Sequence, residues 1–329
     1  MSETWLNDNG NDNVIETRGL TRYFGKRCVV DSLDLAVPRG CVFGFLGRNG
    51  AGKSTTIRML LGLLAPTRGS ASILGCDSRA LAPAVRARIG YLAEGHHAYG
   101  WMSVAECGQF QSAFHPRWND RVFQSVLSHF NLKPAAPAGD LSRGERAGLC
   151  LALTLAPQPE LLILDDPALG LDPVARRGLL QSMIYLTRKA DQTVFFSSHL
   201  LSDVERVADR IAVLDGSRLR ADCSLETFRD RVRQFVLLFP GTPPPLPPLP
   251  GLLQTFRAGR EVTVTLASCD ADTERRLAAL GAVRVTPIPL GLEDAFVSYL
   301  SDRGERSFFL EDVDEPKDEM REEARGPSE

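Results

Sequence analysis

The segment GRNGAGKST, Gly47 to Thr55, constrains this chain more than any other. It follows an apolar run, CVFGFL, and opens a stretch with helical spacing, KSTTIRMLLGLL, at about residues 53–64. Its glycines let backbone N–H groups turn inward around a chain of phosphates, and a helix N-terminus adds its positive end. Lys53 can reach the outer phosphates as a point charge, and the Ser54 hydroxyl can ligate Mg²⁺. A Gly-rich turn that merely caps a helix would need neither the lysine nor the hydroxyl.

A second segment, LILDDP, is an apolar strand end that stops at two acids. Buried carboxylates are costly unless a cation or hydrogen bonds hold them. Downstream of a phosphate loop, Asp165 is placed to hold Mg²⁺ opposite Ser54, and Asp166 to orient an attacking water. The other reading of DDP is a helix N-cap with Pro167 in the first turn.

The chain has 329 residues, 43% hydrophobic and 24% charged, which fits an ordinary globular protein of two domains. A formal net charge of −3 gives no push toward nucleic acid, and no nucleic-acid partner is expected. The opening MSETWLNDNGNDN does not read as a secretory leader. No apolar run approaches the ~20 residues of a membrane span. Seven dispersed cysteines without a CxxC pair read as reduced thiols. Residues 1–13 are expected to be disordered, strands are expected over 14–46, and residues 79–156 look mostly helical. Strand patterns return at LLILDD, TVFFSS and IAVLDG, so the alternation predicts an α/β fold with a largely parallel sheet. Seven of the twelve residues 240–251 are proline, a stiff linker within residues 231–302, which read as a small α+β accessory domain. Residues 311–329 carry nine acidic and three basic side chains, and an acidic disordered tail is expected over 303–329.

In motif order and spacing, about residues 14–225 resemble the nucleotide-binding subunit of an ATP-binding cassette (ABC) transporter. GRNGAGKST looks like its Walker A, LSRGE its signature, LLILDDP its Walker B, LGLDP its D-loop and SSHLLSDVERVADRIAVLDGSRL its switch-histidine region. IGYLAEGHHAYGWMSVAE looks like the Q-loop segment, with Glu94 where glutamine is common, and TRYFGK like the loop whose aromatic stacks on adenine. The resemblance implies a P-loop NTPase fold of the ABC ATPase type over 14–230, a mixed sheet core plus a helical subdomain at about 79–156. It implies ATP and Mg²⁺ as cofactors, with Lys53, Glu94, Asp166 and His199 catalytic and Ser54, Asp165 and Glu94 at the metal. Nucleotide contacts would come from Phe24 (Tyr23 is the alternative), Gly47, Arg48, Asn49, Gly50, Ala51, Gly52, Lys53, Ser54, Thr55, Ser142, Gly144 and Asp172. It also implies a second ABC subunit joined head to tail, a transmembrane permease as partner, and a peripheral place on the cytoplasmic face of the cell membrane.

The sequence departs from the family pattern in the signature, where Arg143 and Glu145 replace glycine and glutamine, and at Arg48, which replaces a common proline. Ser142 and Gly144 remain, so ATP clamping is expected to persist, and Ser142 with Glu145 spells a helix capping box. Asp166 stands where the family usually has glutamate. Aspartate is one methylene shorter, and a misplacement of about 1 Å at a reacting centre can cost ~10²-fold. The expectation is a slow but genuine ATPase, favoured as a homodimer, that drives a separate exporter permease. His96, His97, Tyr99 and Trp101 read as amphipathic side chains facing that permease. A different class, a soluble cassette ATPase acting as a nucleotide-gated clamp or regulator, is the alternative.

Overall fold

The computed structural model describes residues 12–190, 192–267 and 269–301. Residues 1–11 and the expected tail 303–329 lie outside the described residues, whereas Asn13 already opens the first strand. The chain divides into two units, Met1–Arg231 and Val232–Glu329.

In the first unit the elements run β1 (Asn13–Phe24), β2 (Arg27–Pro38), β3 (Val42–Gly47), α1 (Lys53–Leu60), β4 (Arg68–Ile73), β5 (Cys76–Asp77), α2 (Pro83–Arg86) and β6 (Ile89–Leu92). They continue with α3 (Val104–Ser112), α4 (Asp120–His129), α5 (Arg143–Leu155), β7 (Leu161–Leu164), α6 (Pro173–Ala190), β8 (Thr193–Ser198), α7 (Leu201–Val207), β9 (Arg210–Asp215), β10 (Arg218–Ser224) and α8 (Leu225–Arg231). VFGFLG, LLIL and TVFFSS are buried along their whole length. Such runs, apolar or small on both faces, suit interior strands of a parallel sheet. They form the middle of a six-stranded sheet ordered β10-β9-β3-β8-β7-β6, parallel except for the β10–β9 pair.

A second, antiparallel sheet, β2-β1-β4-β5, shares one core with the first. The alternating inward residues of β1 and β2, among them Ile15, Leu20, Leu33 and Leu35, meet Ile57 and Leu60 of α1 and Phe43, Phe45 and Phe195 of the parallel sheet. The three phenylalanine rings lie with Phe195 5.8 Å from Phe43 and 5.3 Å from Phe45. The helix that follows the phosphate loop is thereby clamped between two sheets.

The expected helical stretch from residue 79 contains a strand. Ile89–Leu92 pairs in parallel with Leu161–Leu164 and forms the sheet edge. Four residues carry too little periodicity to be read locally, and it is pairing with β7 that makes them a strand. Beyond it, α3, α4 and α5 build their own core from Val104, Cys107, Phe123, Leu127, Leu149 and Ala152.

The second unit is an antiparallel sheet ordered β12-β13-β11-β14, from β11 (Arg233–Leu238), β12 (Leu252–Ala258), β13 (Glu261–Leu266) and β14 (Arg284–Ile288). It also holds α9 (Thr273–Ala278) and α10 (Leu292–Ser301). The proline run joins β11 to β12, and its Leu246 and Leu249 pack on the core of Phe235, Leu237, Val262 and Val264.

The β6 edge is fixed by one carboxylate. Glu160 accepts from Arg88 Nε at 2.8 Å and Nη2 at 2.7 Å, with Arg117 at 3.7 Å and Arg39 at 4.0 Å. The Arg88 bonds first, then the charges of Arg88, Arg117 and Arg39, hold the Glu160 carboxyl below the usual range against a smaller opposing effect of burial. A depressed carboxylate stabilises above its unfolded pKa, and that stabilisation is lost as pH falls through the folded value. Glu160→Gln is expected to cost about 0.5–1 kcal/mol at pH 7 after allowance for solvent screening, a shift of roughly 2–4 °C at most in thermal melting. Melting curves of parent and variant should converge below about pH 4.

Candidate active site

The phosphate loop lies where a fully buried strand must turn into a helix without room for side chains. β3 ends at Gly47, and a β-carbon there would stand 2.4 Å from the Leu214 carbonyl oxygen. Gly52, the N-cap of α1, has φ 109°, and its β-carbon would stand 2.4 Å from the Val29 carbonyl oxygen. Only glycine fits either place. Ala51 N–H donates to Arg48 O at 3.1 Å and closes the loop. No side chain caps α1, which leaves its first N–H groups to a ligand.

Lys53 is buried and turned back along the loop. Its Nζ donates to Gly47 O at 2.7 Å and to Arg48 O at 3.3 Å. Burial pushes the ammonium below its ordinary pKa, while Asp166, Asp165 and Glu94 pull the other way. The lysine is therefore held by two loop carbonyls, with burial opposing its charge and the carboxylates across the cleft favouring it.

β7 delivers those carboxylates. Asp165 and Asp166 are 2% and 7% exposed. Asp165 Oδ1 accepts from Ser54 Oγ at 3.0 Å and from Ser197 Oγ at 2.8 Å. Asp166 has a left-handed backbone, φ 45°, and its N–H donates to Ser197 Oγ at 2.8 Å. Its Oδ2 lies 2.6 Å from His199 Nδ1, and its Oδ1 is buried without a hydrogen-bond partner. Neither aspartate caps a helix. The next helix begins at Pro173, where Asp172 Oδ1 accepts from Val174 N at 2.8 Å and Ala175 N at 3.0 Å. Those two bonds hold the Asp172 carboxyl below its ordinary pKa.

A cleft of about 370 Å³ collects Phe24, Arg27, Val29, Asn49, Gly50, Gly52, Lys53, Ser54, Thr55, Glu94, Asp165, Asp166 and Ser197. The Phe24 ring is half exposed at the cleft wall, with the Arg22 guanidinium 4.7 Å from its centroid; Tyr23 does not line it. Gly47 and Arg48 take part through their carbonyls, and Ala51 is buried beneath the loop. His199 joins through Asp166. The structure does not bring Ser142, Gly144 or Asp172 to this cleft. They gather at the N-termini of α5 and α6, where a β-carbon on Gly144 would lie 3.4 Å from Asp172 Oδ2 and Arg143 covers Gly170. Ser142 and Glu145 form the capping box there, the Ser142 N–H donating to Glu145 Oε2 at 2.9 Å.

Sequence reasoning missed Ser197, Arg27, Val29 and the orientation of His96. Ser197 was detectable as a hydroxyl near the end of a buried strand, where it has to find a partner. Arg27 and Val29 carry no motif. His96, expected on a partner surface, is instead buried at 5% exposure with Nε2 3.0 Å from Pro167 O. A left-handed φ of 51° at His96 turns it inward, whereas His97, Tyr99 and Trp101 are exposed.

The cleft is shaped for a phosphate chain. It offers glycine-limited backbone, one buried ammonium, one hydroxyl facing one carboxylate, and an unpartnered carboxylate oxygen. Among the described residues no three His, Cys, Asp or Glu side chains cluster as a metal site. That donor set fits Mg²⁺, which keeps waters and substrate phosphates as ligands and takes one or two protein groups. A phosphate chain seated in this cleft would take a charge-assisted contact from Lys53 worth roughly 1.5–3 kcal/mol, which Lys53→Ala would remove. Calorimetric titration with Mg·ATP should show affinity lowered about 10- to 100-fold, and parent-like heat would contradict the assignment of the cleft.

The family model described as ABC transporter matches residues 30–169. The chain is 33% identical over 225 residues to the bacitracin transport ATP-binding protein BcrA of Bacillus licheniformis, covering 68% of this chain and 74% of that one. It is 32% identical over 296 residues to the Nod factor export ATP-binding protein I of Rhizobium sp. (strain N33), covering 86% of this chain and 96% of that one. Among solved structures, an ATP-binding subunit of an ABC transporter matches with TM-score 0.60 and 27% identity over 66% of this chain and 92% of its own. Relatives this similar over so much of their length, on a fold of the same kind, identify the family: the chain belongs to the ATP-binding, ATP-hydrolysing subunits of ABC transporters.

Proposed function

We propose that this chain works as a pair with a second cassette, its own copy by preference, and drives a transmembrane exporter with slow ATP hydrolysis. The observation that carries this reading is the unpartnered, buried Oδ1 of Asp166 in the same cleft as Lys53 and Ser54. An acceptor without a donor, beside a phosphate cradle, suits the role of orienting a water. The β/γ-phosphates would lie on the N–H groups of Gly50 to Thr55, with Phe24 against the adenine and Lys53 on the outer phosphates. Ser54 and Asp165 would hold Mg²⁺, which supplies neutralising charge at the phosphate oxygens, and Glu94 faces the same space. Asp166 would polarise the water, and His199, fixed by Asp166 Oδ2, would donate to the developing charge.

That Ser142, Gly144 and Asp172 do not line this cleft supports head-to-tail pairing, in which each half supplies the other's complement. A second cleft of about 400 Å³ supports a permease contact. It lies between β6 and the helical layer and includes Tyr91, His97, Tyr99, Phe110 and His115. The Tyr99 ring lies tilted against Trp101 at 6.0 Å and edge-on to Phe110 at 5.6 Å, and Phe110 lies edge-on to Phe114 at 5.2 Å. Trp101 is 79% and Phe114 65% exposed, so an aromatic ladder faces outward. Aromatic anchors of this kind are common in protein interfaces. Among the described residues no helix is long and apolar enough to cross a membrane; a peripheral place on the cytoplasmic face is proposed from the family likeness alone. Names among the relatives, bacitracin transport and Nod factor export, favour an exporter. We assign residues 14–230 to the ATPase domain and 231–302 to an accessory domain; the longer match, at 86% of the chain, must extend beyond the first unit.

In steady-state assays Asp166→Glu should raise turnover by about tenfold or more through restored reach, and Asp166→Asn should lower it about 10²-fold, to a residual but measurable rate. A rate lowered or unchanged by glutamate would overturn the reach argument. The parent should fractionate with membranes together with a spanning partner, and Trp101→Ala should reduce the bound fraction.

A further inference from the structure

We propose that His96 is a positioning residue for the hydrolytic carboxylate, holding the Asp166–Pro167 turn together with Ser197 and His199. The inference rests on the reading of Asp166 as the group that orients water. Three side chains grip this turn, two from the end of β8 and one from the segment after β6. Ser197 Oγ accepts the Asp166 N–H at 2.8 Å, His199 Nδ1 meets Asp166 Oδ2 at 2.6 Å, and His96 Nε2 meets Pro167 O at 3.0 Å. A carbonyl oxygen only accepts, so His96 Nε2 carries the proton and donates.

The grip on Pro167 reaches Asp166 for a geometric reason. Proline fixes its own φ and has no N–H, so its carbonyl is its only backbone hydrogen-bonding group. The Asp166–Pro167 peptide is planar. Few free torsions therefore separate the held carbonyl from the Asp166 side chain. The remaining backbone bond of the turn, Leu169 N–H to Asp166 O at 3.1 Å, leaves the Pro167 carbonyl unheld. Asp166 itself sits at φ 45°, a conformation that costs roughly 1–2 kcal/mol for a residue with a β-carbon. A turn of that kind persists only when its surroundings over-determine it.

A satisfied core histidine would need only some acceptor. Here the chain adopts a left-handed φ of 51° at His96 to bury that ring, while the adjacent His97 is exposed. Its acceptor is one peptide from the reacting group. A carboxylate already one methylene short has little tolerance for drift, so loss of this hydrogen bond should appear in turnover and not in nucleotide binding. His96 touches neither cleft-lining phosphate contact nor the metal position, and it acts through Asp166.

The test is a kinetic comparison of the full-length parent with His96→Ala, His96→Gln and the donor-free, volume-filling His96→Leu. His96→Ala should lower kcat about tenfold or more while leaving KM for ATP and Mg·ATP affinity near parent values. His96→Gln, whose amide N–H₂ can reach the carbonyl, should recover most of the loss; if His96→Ala does not fold, His96→Leu against His96→Gln carries the comparison. In an Asp166→Asn background, removing His96 should cost nothing further, because the group it positions is gone. Parent-like kcat in His96→Ala, a parallel loss of ATP affinity, or an undiminished loss in the Asp166→Asn background would overturn the inference while the hydrolytic role of Asp166 stands. A parent no faster than Asp166→Asn would instead overturn that role, and the inference with it.

Discussion

Two adjacent carboxylates at the end of an apolar strand are the condition around which the first unit is arranged. An uncompensated buried charge costs several kcal/mol. Asp165 is met by two hydroxyl donors, Asp166 by a histidine and a backbone bond to Ser197, and both face the ammonium of Lys53. Each of those partners lies at the end of a strand in one sheet or at the start of the helix beside it. The register of β7 with β8 and of β3 with β8 sets their spacing. The electrostatics of the cleft and the order of the sheet are thus one problem with one solution.

The remaining pieces of the expected nucleotide site are elsewhere on the same unit. Ser142, Gly144 and Asp172 stand at two helix N-termini whose N–H groups point toward negative charge. Asp172 Oδ1 and Ser142 Oγ already accept from several of those donors, and Glu145 Oε2 accepts from the Ser142 N–H, which makes the cluster stable without a ligand. Arg143, in place of the usual glycine, lies over the D-loop at Gly170 and away from the cleft. Its side chain has room there, a physical reason for a signature altered at that position to remain compatible with the fold.

Much of this was legible in the residues. The phosphate loop, the strand ends bearing Asp165 and Asp166, and the capping box at Ser142 follow from glycine spacing, apolar runs and side-chain reach. Ile89–Leu92 was not legible, because four residues become a strand only through their partner β7. His96 was misjudged because an adjacent pair of histidines looks alike in sequence, and only a left-handed backbone decides which ring is buried. Ser197 is one of three hydroxyl residues in TVFFSS, and only the fold shows which of them meets the aspartates, although a buried hydroxyl has to find a partner.

The φ of 45° at position 166 bears on inheritance as well as on catalysis. Short polar side chains enter the left-handed region several-fold more readily than longer ones, so the local backbone favours aspartate on steric grounds alone. A longer acid can stand there only while the bonds to residues 96 and 197 keep imposing the same backbone on it, so those two positions are the ones a lineage could not lose after exchanging one acid for the other.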